Sequence, residues 1–223
     1  MEEERMQAIE FFGLSDKGLR ERNEDAFLAA DLGGIHVFAV AEGMGGQKEG
    51  PSAAQVAVEA MIQGGAARDE TLAGTLEELL GRAERTLYTM ETGRAGTEPP
   101  AVVMAVALVS PDGMCVVSTP ASRKVFFLAG DKGGTPGDGT TGTPGHFVLH
   151  DPGAGMHEAT LPQGFLVLCS DGITDFVPDS RIQEIVAERG DDLEEACRKL
   201  VHEAFQNGSD DSLTVVLVRR RDS

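Results

Sequence analysis

Basic residues are scarce in this chain. Lys and Arg number 19 against 37 Asp and Glu, so the formal net charge is −18 over 223 residues. Such a balance repels phosphate backbones and anionic lipid, which excludes general nucleic-acid or membrane-surface binding and leaves a cation as the favoured small partner. Cysteines are few: Cys115, Cys169 and Cys197 are odd in number, far apart and set in apolar runs. That pattern gives neither a disulfide framework nor a zinc site, and it fits buried free thiols in a reducing compartment. Long hydrophobic runs are also missing. The longest, Ala101 to Val109, is far too short for a bilayer. The opening Met1-Glu2-Glu3-Glu4-Arg5 is acidic where a signal peptide is basic and then apolar. A soluble, cytoplasmic protein is expected.

With 41% apolar and 25% charged residues, the composition is that of an ordinary globular fold. Residues 8–15 and 26–41 read as strands, the second stretch broken into a hairpin at Asp31-Leu32-Gly33-Gly34. Helical stripes follow over 52–63 and from Thr75 to Met90, the latter opening with a capping box of Thr75 and Glu78. Strands are expected at 101–110, 114–119 and 124–129, then around 146–150, 164–170 and 213–219. Further helices are expected at 179–189 and 191–206. Between them, residues 130–145 form a Gly/Thr/Pro tract with almost nothing to bury, read as a flexible surface loop. Hairpin succession with helices in pairs gives an α+β fold with antiparallel sheets, and one domain over 1–223 accounts for the whole chain.

Some patterns carry no chemistry. Gly137 to Gly142 spells G-x-G-x-x-G, but Thr143-Pro144-Gly145 follows where a dinucleotide site needs a helix. His157-Glu158 and His202-Glu203 lack the second His of a zinc-protease helix, and no G-x-S-x-G occurs. The informative residues are acids at strand ends: Glu24-Asp25, Glu42, Asp171 and Asp210-Asp211. Taken singly, each is an ordinary turn former. Converging from one sandwich, they offer oxygen ligands only, which select a hard ion such as Mg²⁺ or Mn²⁺.

Four blocks carry a resemblance to a known family. Ser15 to Arg20 with Asn23-Glu24-Asp25-Ala26-Phe27 resembles the opening block of the metal-dependent protein phosphatases, the protein phosphatase 2C or PPM group. Val40-Ala41-Glu42-Gly43-Met44-Gly45-Gly46 is similar to its V-A-D-G-M-G-G block, Cys169-Ser170-Asp171-Gly172 to C-S-D-G, and Asp211 to Val216 to D-N-x-T-V-V. The order is that of the family. The resemblance implies a four-layer αββα sandwich, two helix pairs flanking two antiparallel sheets. It also implies a centre of two divalent cations, Mg²⁺ or Mn²⁺, held by Asp25, Glu42, Asp171 and Asp211 and by the carbonyl of Gly43. In that scheme Arg20 binds the phosphoryl group and Glu24 orients the water. The implied reaction is hydrolysis of phosphoserine or phosphothreonine by a metal-bridging water, on a phosphoprotein such as a bacterial signalling or regulatory protein, by a monomer.

Three positions depart from the pattern. Glu42 stands where the family has an aspartate, and a misplacement of roughly 1 Å can cost about 100-fold in rate. Pro120-Ala121-Ser122-Arg123 replaces G-D-S-R, and Ser212 replaces an asparagine. The span 130–160 lacks the family's flap and T-x-D-H stretch, a compactness similar to the sporulation stage II E-like bacterial branch. Glu42 and Ala121 therefore leave an alternative, a catalytically impaired pseudo-phosphatase that binds a phosphoprotein as a regulatory module.

Overall fold

Strand β2 (Asp25–Asp31) turns into β3 (His36–Met44) through Gly33 and Gly34, whose φ angles of 80° and 105° suit glycine alone. The turn is closed by Leu32 N–H donating to the Ile35 carbonyl at 2.9 Å. The computed structural model describes residues 8–44, 53–65, 71–91, 101–119, 124–129, 155–161 and 164–221. Within these, β3 pairs with β4 (Ala101–Val109), β4 with β5 (Met114–Thr119) and β5 with β7 (Gly155–Thr160), so the first sheet runs β2-β3-β4-β5-β7. The second runs β1-β9-β8-β6, formed by Ala8–Asp16, Leu213–Arg221, Gly164–Cys169 and Lys124–Ala129. Every pairing is antiparallel.

Strand parity sets the layers. On β3, Val37, Ala39 and Ala41 pack against helices α1 (Ala53–Ile62) and α2 (Leu72–Glu91), while Phe38 and Val40 face the other sheet. On β9, Val216 and Val218 meet that inter-sheet core, while Val215 and Leu217 pack on α3 (Asp171–Thr174), α4 (Asp179–Arg189) and α5 (Leu193–Gln206). Helices therefore cover both outer faces, and the architecture is the expected αββα sandwich. Strands buried on both sides explain the continuous apolar runs at 37–41 and 215–218.

Local details differ from the sequence reading. Helix α2 opens four residues early, its cap at Thr71 instead of Thr75. Thr71 caps it, its hydroxyl accepting from Gly74 N–H at 3.0 Å, whereas Thr75 is buried inside the helix and Glu78 pairs with Arg82 at 2.6 Å. The capping box fails because Arg82 competes for Glu78, and its guanidinium also bonds the carbonyls of Met61, Gln63 and Gly65 at the end of α1. Strand β7 and the single turn α3 have no counterpart in the sequence reading. The expected strand at 146–150, the loop at 130–145 and Ala121 lie outside the described residues.

Candidate metal centre

The same parity places the acids. On β2, Ala26 and Leu28 face the helices, while Phe27 and Ala29 pack into the inter-sheet core, so Asp25 belongs to the inter-sheet face. Glu42 shares that face with Phe38 and Val40. Asp25 and Glu42 are register partners. The neighbouring pair, Glu24 and Gly43, carries the backbone bond, Gly43 N–H to the Glu24 carbonyl at 2.9 Å. Asp25 and Glu42 therefore form a non-hydrogen-bonded pair, the kind whose Cα atoms come to about 4.5 Å. Two carboxylates directly opposed on a sheet, one only 6% exposed, repel unless positive charge stands between them.

The second sheet contributes from the other side. Ser170 N–H donates to the Thr214 carbonyl at 2.9 Å, which closes the ladder where β8 ends and starts α3 at Asp171. Asp211 enters β9 and accepts from Ser212 N–H at 2.7 Å. A β-carbon on Gly172 would sit 2.0 Å from the Ser212 carbonyl, so only glycine lets these two turns meet. Carboxylate oxygens of Glu42, Asp171 and Asp211 lie within 4.8 Å of one another. Ligands around an octahedral Mg²⁺ at roughly 2.1 Å stand about 3 Å apart when adjacent and about 4.2 Å when opposite, so this spacing suits one shared hard cation. The extra methylene of Glu42 does not carry its carboxylate out of the cluster.

Arg20 reaches the cluster through a tight turn. Gly18 has φ of 56°, its N–H donates to Asp16 at 2.9 Å, and a β-carbon there would lie 2.1 Å from the Asp211 carbonyl. The turn thus presses on Asp211 and delivers Arg20, whose Nε and Nη2 donate to the two Asp211 oxygens at 3.0 and 2.8 Å. The hydrogen bond to Asp211 raises the Arg20 pKa further above its ordinary value. Glu24 lies 3.9 Å from the same guanidinium, whose side chain remains 45% exposed. The structure therefore brings Glu42, Asp171 and Asp211 together beside Arg20 and Glu24, while Asp25 and Gly43 stand next to Glu42 on β2 and β3, the Asp25 carboxylate outside the group of three.

A family model, Protein phosphatase 2C, matches residues 128–213, which include Asp171 and Asp211. Over that span the chain is similar to the protein phosphatase 2C family. Probable protein phosphatase 2C 54 of Oryza sativa subsp. japonica is 34% identical over 80 residues, 34% of this chain and 22% of that protein. The serine/threonine protein phosphatase PstP of Mycobacterium tuberculosis is 27% identical over 238 aligned positions, 94% of this chain and 44% of PstP. This chain thus spans less than half of either relative. The solved catalytic domain of PstP, in complex with two manganese ions, superposes with a TM-score of 0.76 at 19% identity, covering 97% of this chain and all of that one. At that identity the superposition speaks for the phosphatase 2C fold.

Sequence reasoning passed over a hydroxyl network behind the acids. Ser15 Oγ and Thr214 Oγ1 are 2.7 Å apart, Asn23 Nδ2 donates to Ser15 Oγ at 2.8 Å, and Asn23 Oδ1 accepts from Asp25 N–H at 3.1 Å. Thr214 N–H donates to Ser170 Oγ at 3.0 Å. The signal was present in the sequence: Asp25, Asp171 and Asp211 each have a Ser or Asn within two residues, and Glu42 has none. Among the described residues no helix is long and apolar enough to cross a membrane.

Proposed function

We propose that this chain is a divalent-cation-dependent protein serine/threonine phosphatase. The observation that carries the reading is the meeting of Glu42, Asp171 and Asp211 from two sheets within 4.8 Å, beside Arg20. Asp25, Glu42, Asp171, Asp211 and the Gly43 carbonyl are assigned to two Mg²⁺ or Mn²⁺ ions, a hard-ion set without His or Cys. When bound, such ions supply Lewis acidity and lower the pKa of water.

The chain's own groups then do the rest. Arg20 keeps Nε and Nη2 on Asp211, and its exposed positive charge at the rim suits the oxygens of a phosphoryl group and helps hold the phosphorus in place. Glu24, 3.9 Å from the Arg20 guanidinium, orients the water. The positive guanidinium stabilises charge on the phosphoryl oxygens while the serine or threonine oxygen leaves. No protein nucleophile is needed, in keeping with the three buried cysteines. The substrate is a phosphoserine or phosphothreonine protein of a signalling or regulatory kind, acted on in the cytoplasm by a monomer of one catalytic domain.

The test is phosphate release from a phosphothreonine peptide with Mn²⁺ titrated and EDTA as control. EDTA-sensitive turnover that is lost in Asp171→Asn is the expected result. A folded chain without such turnover overturns the proposal.

A further inference from the structure

The peptide unit of Glu24 is bonded in an irregular way. In a regular antiparallel pair the two residues exchange both N–H···O=C bonds. Gly43 N–H donates to the Glu24 carbonyl at 2.9 Å, but Glu24 N–H donates to Ser212 Oγ at 3.1 Å. The return bond to the Gly43 carbonyl is not made. Within a strand a residue's N–H and C=O point toward the same neighbour, so the Gly43 carbonyl faces the Glu24 peptide without receiving its proton.

Ser212 is 1% exposed and sits in the second sheet's entry, between Asp211 and β9. Its hydroxyl is therefore a bond between sheets. On one side are Glu24, Asp25, Glu42 and Gly43; on the other are Asp171 and Asp211. Its own N–H donates to Asp211 Oδ1 at 2.7 Å, which ties the same residue to a member of the acid cluster. We propose that Ser212 is a positioning residue whose hydroxyl clasps the two sheets at the centre and, by diverting the Glu24 amide, keeps the Gly43 carbonyl available to a cation.

This inference rests on the metal-dependent reading above, and it makes a prediction that a merely structural serine does not. In Ser212→Ala the Glu24 amide falls back onto the Gly43 carbonyl and completes the ladder. One hydrogen bond replaces another, so stability changes little while the oxygen offered to the ion is lost. Partners that orient metal ligands are typically worth about 10–100-fold in affinity.

Two measurements on the full chain test it. Calorimetric titration with Mn²⁺ is expected to show about 10–100-fold weaker binding in Ser212→Ala. Binding is expected to recover in Ser212→Thr, which keeps the hydroxyl. In metal-free protein, the NMR coupling across a hydrogen bond between Glu24 nitrogen and Gly43 carbonyl carbon is expected only in Ser212→Ala. Ser212→Cys, of similar volume and a poor acceptor, replaces the alanine variant if that one does not fold. Ile185→Val on α4, a core change remote from the acids, serves as the stability control and should keep wild-type affinity. Unchanged Mn²⁺ binding in Ser212→Ala overturns the inference, as does a Glu24–Gly43 coupling already present in the wild type. Equal loss of affinity in Ile185→Val also overturns it, because affinity then follows stability. A wild-type chain that binds no Mn²⁺ overturns the phosphatase reading instead, and the clasp is then decided by the coupling alone.

Discussion

Adding Mn²⁺ to the metal-free chain should raise its melting temperature, because the ion relieves repulsion within the acid cluster. Unit charges at the 4.8 Å limit that encloses Glu42, Asp171 and Asp211 repel by about 3.5 kcal/mol per pair at an effective dielectric of about 20. Arg20 offsets part of this at Asp211. A cation that binds only the folded chain stabilises it by about 2.7 kcal/mol at 100 times its dissociation constant. For a chain of this length each kcal/mol moves Tm by about 2–4 °C, so the rise is about 5–11 °C. Differential scanning calorimetry with Mn²⁺ added stepwise and reversed by EDTA reads it directly. Asp171→Asn gives a second, opposite signature: one repelling charge is gone, so the metal-free Tm rises while most of the Mn²⁺ response disappears. Invariance of the wild-type Tm up to millimolar Mn²⁺ would refute the reasoning. So would a lower metal-free Tm in Asp171→Asn, since that makes the carboxylate a structural acceptor rather than a ligand.

Arg20→Ala should lower kcat/KM on a phosphothreonine peptide by about 100-fold, the loss of one charged donor at the reacting group, while calorimetric Mn²⁺ binding persists; loss of ion binding in that variant contradicts a role toward phosphate. Gln183, 4% exposed on α4, makes no hydrogen bond among the described residues with either atom of its amide. Gln183→Leu should therefore raise the urea midpoint, by about 1–3 kcal/mol of stability, and a lowered midpoint refutes the desolvation argument. Burial pushes the Cys115 and Cys197 thiols up to about 12 and Cys169 higher still. At pH 8 about one thiol in 10⁴ at Cys115 or Cys197 is then thiolate, so a thiol reagent should leave the native chain unmodified and label all three cysteines after denaturation.

Much of the fold was legible because strands buried on both faces leave long Val/Leu/Ala runs, and the turns between them use Gly33-Gly34 and Pro111-Asp112-Gly113. The acids were legible for a related reason. A charge directly after an apolar run, as in Leu168-Cys169-Ser170-Asp171, marks the point where a buried strand leaves the core. What stayed hidden was local competition. Thr75 and Glu78 have the right spacing for a cap, but Arg82 takes Glu78 while it closes the carbonyl end of α1, an interaction between two helices that no window of sequence contains. Strand β7 stayed hidden because Gly155-Met156-His157-Glu158-Ala159-Thr160 has little apolar alternation, and its place is set by the ladder with β5.

The hydroxyl network shows why a site can be read in outline yet not in detail. The acids announce themselves by charge, and their types alone select a hard ion. Their mutual spacing depends on how two sheets are held at one edge, and the residues that bond across it are neutral: Asn23 to Ser15, and Ser212 to the Glu24 amide, with Ser15 and Ser170 bonded in turn to Thr214 within the second sheet. Such side chains look like ordinary turn residues in sequence, because, apart from the local Asn23–Asp25 bond, the bonds they make here reach partners that the fold alone brings near. Ser15 meets Thr214 and Glu24 meets Ser212 from opposite ends of the chain. A longer acid at position 42 is tolerable on the same grounds. Glu42 must span from one sheet toward Asp171 and Asp211 on the other, so the side-chain length that suits the centre is fixed by the inter-sheet clasp rather than by the motif.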